Sequence, residues 1–397
     1  MNINTLTDRG HRTRIARKSV NKSMDLVCFS HLRWDFVYQR PQHLLSRMTD
    51  TYRVFFVEEP IFEHGVFERL DVTTTAEGVN RVVPVLPEDL RHNTEPRYEI
   101  LRNLMDGLFK QFAIQQYLFW YYTPMMVPFT SHFKPEVVVY DCMDELSAFK
   151  NAPEELKTFE KALLRAANVV FTGGHTLYQA KREHHDNIYP FPSSIDRVHF
   201  AQGREMLEDP EDQKYTRHPR LGFFGVIDER FDIALIGEMA KKRPDWHFVL
   251  IGPVVKIDPA TLPQAANIHY LGMKSYQELP AYLAGWDIAL IPFAINESTK
   301  YISPTKTPEY LTAGKPVIST PITDVVTPYG DVGLVQVGAT ADEFIAKAEK
   351  IMGMSLEERQ KWLKEVDSFL SNSSWDDTVD QMKQLMAEAS VKKNVIA

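Results

Sequence analysis

The stretch Ser303–Thr320, SPTKTPEYLTAGKPVIST, carries an ammonium, Lys306, in a small polar loop and a carboxylate, Glu309, in the first turn of the helix that follows. The spacing predicts Thr307 as the N-cap and Pro308 at the first helical position, where its missing N–H costs nothing. Gly314 supplies a left-handed stop, Lys315-Pro316 prevents continuation, and Val317-Ile318 reads as a buried strand. Free backbone N–H groups, the helix dipole and the ammonium then meet at one place, which suits a phosphate. Glu309, one turn in, suits a sugar diol. An ordinary capped helix in a parallel α/β domain accounts for the same spacing.

A second set lies near the other end. His31, Arg33, Trp34 and Asp35 follow the apolar run Asp25–Ser30 and precede a helix starting at Pro41, with Arg40 just before it. Aromatic faces stack on sugar rings, and charged side chains grip hydroxyls. Trp34 and Tyr38 also read as packed core, and Arg33 with Asp35 as a surface pair of little energetic value. Asp141 and Asp144 end a further strand-like run, where one carboxylate could orient or deprotonate a hydroxyl. Asp144 reads equally as a helix cap. His175 fits a helix start. His184 and His185 have no partners at metal-ligand spacing, and neither a Walker-type loop nor a full G-x-G-x-x-G occurs.

These groups need a frame, and the chain supplies alternation. Strand-like runs at Asp25–Ser30, Arg53–Val57, Arg81–Leu86, Leu118–Tyr122, Val137–Tyr140 and Val169–Thr172 are separated by helical patterns at Pro41–Met48, Tyr98–Gln115 and Pro153–Ala166. The polar, acid-rich segment 202–218 reads as an interdomain linker. Alternation resumes with strands at Leu221–Val226, His247–Ile251, Ile268–Leu271, Ile288–Pro292 and Gly333–Val337, and a last helix around Asp377–Ala389. Such alternation predicts an α/β chain of two doubly wound, Rossmann-like domains, with a cleft at the carboxyl ends of both sheets. The expected division is 1–22 as a basic disordered tail, 23–205 and 206–374 as the two domains, and 375–397 as a helix returning to the first.

Bulk properties exclude several classes. A net charge of −8 over 397 residues leaves no basic excess for nucleic acid. The two cysteines, Cys28 and Cys142, sit in apolar runs, so the expectation is a reducing, cytoplasmic setting without a disulfide framework. No apolar run is long enough to span a bilayer. The tail carries Arg9, Arg12, Arg14, Arg17, Lys18 and Lys22 against Asp8, which suggests weak contact with an anionic membrane face.

In this order, HLRWDFVYQRPQHLLSR (31–47), VVYDCMDE (138–145), FFGVIDERFD (223–232), WHFVLIGP (246–253), NIHYLG (267–272), YLAGWDIALIPF (282–293) and the 303–320 block resemble the retaining GT-B glycosyltransferases of the glycosyltransferase 4 type. Bacterial teichuronic-acid and exopolysaccharide members are the most similar. The resemblance implies transfer of a sugar from an NDP-sugar, UDP slightly ahead of GDP, to a hydroxyl of an envelope polysaccharide or lipid-linked saccharide. The anomeric configuration would be retained, with no metal and no cofactor beyond the sugar nucleotide. The same architecture also serves NDP-sugar 2-epimerases and degenerate binding proteins.

Position by position, the resemblance gives Glu309 the ribose hydroxyls, whereas the first glutamate of the family's pair falls on Tyr301. Ser303, Pro304 and Thr305 replace a glycine-rich stretch that approaches the donor. Val226 occupies the phosphate-binding arginine position and Arg230 falls at or beside the lysine position, so Arg230 and Lys306 become the diphosphate partners. Gly272 and Met273 match the loop beside the base. The acceptor side is assigned to His31, Arg33, Trp34, Asp35 and Arg40, with Asp144 and Asp35 as the carboxylates nearest the chemistry.

Overall fold

The computed structural model describes residues 24–396; the basic tail 1–22 lies outside the described residues. Two sheets organise the chain. The first holds β1 (Asp25–Ser30), β2 (Arg53–Glu58), β3 (Ile61–Glu63), β4 (Arg69–Thr74), β5 (Asn80–Pro87), β6 (Tyr117–Tyr121), β7 (Val138–Cys142), β8 (Val169–Thr172) and β9 (Ile188–Pro190). Its order is β3-β5-β2-β1-β6-β7-β8-β9, with β4 antiparallel to β5 and the other pairs parallel. The second holds β10 (Arg220–Phe224), β11 (His247–Ile251), β12 (Ile268–Gly272), β13 (Ile288–Ile291), β14 (Val317–Ser319) and β15 (Val335–Val337), ordered β12-β11-β10-β13-β14-β15 and parallel throughout. Both orders reverse direction beside their first strand, the point where open α/β sheets form a crevice.

The strands are near-continuous apolar runs because helices cover both faces of each sheet. Leu26 to Phe29 are all fully buried, and β1 pairs in register with β2 and β6 on either side. The predicted doubly wound α/β architecture is thus present in both halves. Sequence reading passed over β4, in which only Leu70 and Val72 pack, partly buried, on the first core while Arg69, Asp71, Thr73 and Thr74 are exposed.

The chain crosses between lobes earlier than the polar segment suggests. Phe191 packs in the first core, whereas Ile195 and Phe200 already pack in the second. Segment 206–218 folds onto the second lobe instead of spanning a gap. Buried Gln213 accepts from Trp286 Nε1 (2.9 Å), and Asp209 binds Arg220 (2.7 Å). The return crossing follows Leu370, and Trp375, the first residue of the helix Trp375–Ile396, is fully buried in the first core.

At this junction a run of rings joins the lobes. Trp375 stacks on His43 (4.7 Å), and Tyr38 meets both His43 (4.7 Å) and Tyr276 (4.5 Å). Tyr276 in turn stacks on His199 at 4.1 Å. A second tie runs from Asp324 of the second lobe, whose carboxylate accepts from the backbone N–H (3.0 Å) and the hydroxyl of Thr176. It caps the helix His175–Lys181 from outside, and a Cβ at Gly174 would overlap it. His175 does begin this helix.

Arg40, expected to bind acceptor, is instead buried structure. It grips both oxygens of Asp141 (2.9–3.2 Å) and donates Nη1 to the Phe191 carbonyl (2.8 Å). The fork pins the helix Arg40–Met48 to the end of β7. Removing one partner would strand a buried charge. Asp141→Ala is therefore expected to cost about 3–5 kcal/mol of stability, read from urea unfolding; a loss below about 1 kcal/mol would contradict this role.

Candidate functional site

Between the lobes lies a cavity of about 690 Å³. Of the residues singled out in the sequence, Trp34, Asp35, Arg40, Asp144, Arg230, Met273, Ser303, Pro304, Thr305, Lys306 and Glu309 line it. His31, Arg33 and Gly272 do not. Arg33 turns away to Glu58 (3.1 Å) and the carbonyls of Glu59 and Pro60, because Glu58 is a buried acceptor that must be satisfied. Burial lowers the His31 pKa to about 4, with Lys256 adding to the effect, so the ring is neutral. Trp34 packs edge-on to Phe56 at 5.1 Å and also reaches the cavity wall. Arg33 and Asp35 do not pair: Asp35 meets Arg81 at 2.8 Å.

The second-lobe wall begins where β10 ends. Gly225 (φ +141°) turns the chain there, and any side chain on it would collide with the end of Lys306. The lysine therefore lies over bare backbone, its Nζ 5.5 Å from the centroids of Phe223 and Phe293. Its helix, Lys306–Thr312, starts one residue before the predicted cap, and Thr305 rather than Thr307 precedes it. Thr307 is buried and its hydroxyl has no partner among the described residues, so it caps nothing. Gly314 is left-handed (φ +69°) as expected, and Lys315 is spent on the carbonyls of Ala284 (2.9 Å) and Trp286 (3.1 Å).

Lys306 and Glu309 face the same cavity and perturb each other. Burial pushes the Glu309 carboxyl up and the Lys306 ammonium down, and each charge opposes the other's shift. Arg230 further disfavours the ammonium, while Asp228 favours it. Arg230 forks onto Asp228 through Nε (3.0 and 3.2 Å) and Nη2 (2.7 Å); its Nη1 makes no hydrogen bond among the described residues. The guanidinium also sits 5.5 Å from the ring of Phe149, a first-lobe residue. Two cations and a carboxylate from separate parts of the second lobe thus converge in one partly desolvated place. Such a site suits an anion with several oxygens, since fixed charges in low dielectric act strongly and without reorganisation.

Asp144 enters from the first-lobe side, just past β7. Burial raises its pKa to about 6, against the lowering influence of Arg230 and Arg40 and with Asp228 adding to the rise. It is ionised at neutral pH and close enough to its pKa to exchange a proton. No cap hydrogen bond from its side chain occurs among the described residues. Sequence reading missed Gly225, Asp228, Glu58, Arg81, Tyr276 and the hairpin tip 73–77. The strand-then-glycine pattern in FFG (223–225) and LIG (250–252) was the available signal for the turns; Glu58 and Arg81 carry none.

Residues 218–354 match the family model described as Glycosyl transferases group 1. A candidate teichuronic acid biosynthesis glycosyltransferase of Bacillus subtilis (strain 168), TuaH, is 25% identical over 264 residues, covering 61% of this chain. The alignment spans 65% of that relative, just under two thirds of its length. Among solved structures, an E. coli trehalose-6-phosphate protein bound with UDP-2-fluoro glucose superposes with TM-score 0.67 at 12% identity, covering 92% of this chain and 99% of that one. Sucrose-phosphate synthase from Thermosynechococcus elongatus gives 0.66 at 13%, covering 92% and 98%. Anabaena HepE in complex with UDP and glucose gives 0.63 at 13%, covering 92% and 99%. These structures share the fold: two Rossmann-like domains in the GT-B arrangement.

The Asp144 shift has a thermodynamic consequence. A carboxyl whose pKa rises on folding adds stability below its unfolded pKa and loses it as pH climbs through about 6. Asp144→Asn is therefore expected to be more stable than the parent at pH 7.5 by about 1–2 kcal/mol, after discount for partial exposure. The gain should shrink below pH 5 in thermal unfolding at matched ionic strength; a pH-independent difference would remove the raised pKa.

Proposed function

We propose that this chain is a retaining glycosyltransferase that moves a sugar from a UDP-sugar to a saccharide hydroxyl. The observation that carries the reading is the convergence of Arg230, Lys306 and Glu309 on one cavity, within the segment that matches the glycosyl transferases group 1 model. Arg230 and Lys306 would take up the charge of the departing diphosphate, and no metal is needed for that neutralisation. Glu309 would accept hydrogen bonds from the pentose hydroxyls, and binding such a diol favours its ionised form. The Ser303–Thr305 backbone and Met273 would border the sugar and the base. Support for uridine comes from the UDP in two of the similar structures.

Transfer breaks the bond between the anomeric carbon and the diphosphate oxygen and forms one from that carbon to the acceptor oxygen. The acceptor proton passes to the leaving phosphate, on the face from which it departs, so configuration is kept. Asp144 orients the hydroxyl from the opposite lobe, and closure of the cavity limits competing hydrolysis. The TuaH resemblance supports an envelope polysaccharide precursor as acceptor. The basic residues between 9 and 22 support work beside the inner membrane face. Among the described residues no helix is long and apolar enough to cross a membrane.

UDP is expected to raise the thermal midpoint, by about 2.7 kcal/mol of stabilisation at a hundred times its Kd, and to do so more than GDP, ADP or TDP. Arg230→Ala, Lys306→Ala and Glu309→Ala should each weaken UDP by about tenfold, or 1.4 kcal/mol, in calorimetry. Unchanged affinity in all three would refute the site. Anomeric analysis of the product by NMR decides retention.

A further inference from the structure

The first-lobe wall of the cavity differs in charge from the second, and the difference points to a substrate class. It is built by the hairpin that joins β4 to β5 and by the loop after β1. The hairpin tip is ordered: Thr75 donates to the Val79 carbonyl (2.9 Å) and Gly78 donates to the Thr75 carbonyl (3.0 Å). That turn brings Thr73, Thr75 and Glu77 to the cavity, which Asp35 and Phe36, an exposed ring, also line. Glu77 is half-buried and makes no hydrogen bond or ion pair among the described residues. The cations that border this wall are already committed. Arg81 serves Glu58 (2.7 Å) and Asp35 (2.8 Å), Arg40 serves Asp141, and Lys274 from the facing lobe serves Asp212.

We propose, resting on the transferase reading above, that Glu77 and the hairpin tip select an uncharged, hydroxyl-rich saccharide as acceptor and reject sugars bearing a phosphate or carboxylate at this subsite. Sugar hydroxyls donate charge-assisted hydrogen bonds to the carboxylate, the threonine hydroxyls serve as donors or acceptors, and the Phe36 ring offers an apolar face to a pyranose. Among the described residues, an anionic substituent would meet Glu77 and Asp35 with no uncommitted guanidinium or ammonium from this wall to neutralise it. Like charges at such an interface discriminate against the wrong partner as effectively as contacts favour the right one.

The test uses the full chain, with and without UDP, and a panel of methyl glycosides, each paired with its uronate and its 6-phosphate. Affinities are read by ligand-observed NMR and calorimetry. A neutral member is expected to bind about tenfold or more tightly than both its anionic partners, a difference of about 1.4 kcal/mol. Glu77→Gln should erode that preference and weaken the neutral ligand about fivefold, while UDP affinity stays within about twofold. Glu77→Lys should shift preference toward the anionic partners. Anionic members binding as well as neutral ones, no neutral member binding, or a preference unmoved by Glu77→Gln and Glu77→Lys would overturn the proposal. Loss of UDP binding in the parent protein would instead overturn the transferase reading, so the two failures are separable.

Discussion

A lysine ammonium taken partly out of water needs a counter-charge, and the second lobe is arranged around supplying one to Lys306. Gly225 leaves room for the side chain, Phe223 and Phe293 border it, and Glu309 stands one turn further along the same helix. The pair does not fully satisfy itself. Each group's burial opposes its own ionisation, and Arg230 adds like charge nearby. A polyanion beside Lys306 and Arg230, together with a hydroxyl donor for Glu309, would relieve both desolvation costs at once. Buried charges that compensate each other only in part are the electrostatic condition under which a polyanion with hydroxyl donors binds well.

That condition depends on the lobes staying close, and the junction contributes from several small sources. The rings of Trp375, His43, Tyr38, Tyr276 and His199 form one contact chain, in which the stacked Tyr38–Tyr276 pair is worth about 0.5–1.5 kcal/mol beyond its buried area. His43 is neutral because burial holds its pKa low and neither ring nitrogen has a partner among the described residues, so this ring adds no charge beside the cavity. Tyr276 belongs to both systems: its ring bridges the lobes, and its loop borders the cavity. Asp324 adds a directional tie by capping a first-lobe helix. Many weak, mostly apolar contacts around one polar cap suit lobes that open and close, because no single strong bond has to be broken.

The architecture was legible in the sequence because parallel strands covered on both faces must be apolar end to end. Runs such as Leu26–Phe29 and Phe248–Ile251 announce themselves, and the glycine-and-proline stop after Thr312 fixes the end of the key helix. The second-lobe cavity residues could be placed because Lys306 and Glu309 open the helix that this stop ends, and Arg230 follows the end of β10. The acceptor side was harder. Arg40 and Arg33 look like ligand-binding groups in a loop, yet both are consumed by buried carboxylates that lie 101 and 25 residues away in sequence. Charge pairing across such separations leaves no local pattern. The hairpin that carries Glu77 has an outer strand with only two inward apolar residues, Leu70 and Val72, too short an alternation to stand out from a solvated loop.

The two walls therefore follow opposite rules. In the second lobe, among the described residues, Arg230 keeps one guanidinium nitrogen uncommitted and Lys306 has no full ion pair, so positive potential remains for a ligand. In the first lobe each arginine near the cavity is bound to carboxylate already present: Arg40 to Asp141, Arg81 to Glu58 and Asp35, and Arg33 to Glu58. What is left over there is negative, at Glu77 and Asp144. A ligand spanning the cavity meets its positive end in one lobe and its hydroxyl-accepting end in the other. On the proposed function, this polarity would orient a sugar nucleotide with its diphosphate toward Lys306 and leave the first lobe to hold a group whose hydroxyls can donate. Burial, not this polarity, raises the pKa of Asp144. That carboxylate stands at the boundary, near enough to Arg230 and Arg40 to stay ionised at neutral pH and buried enough to remain close to its pKa.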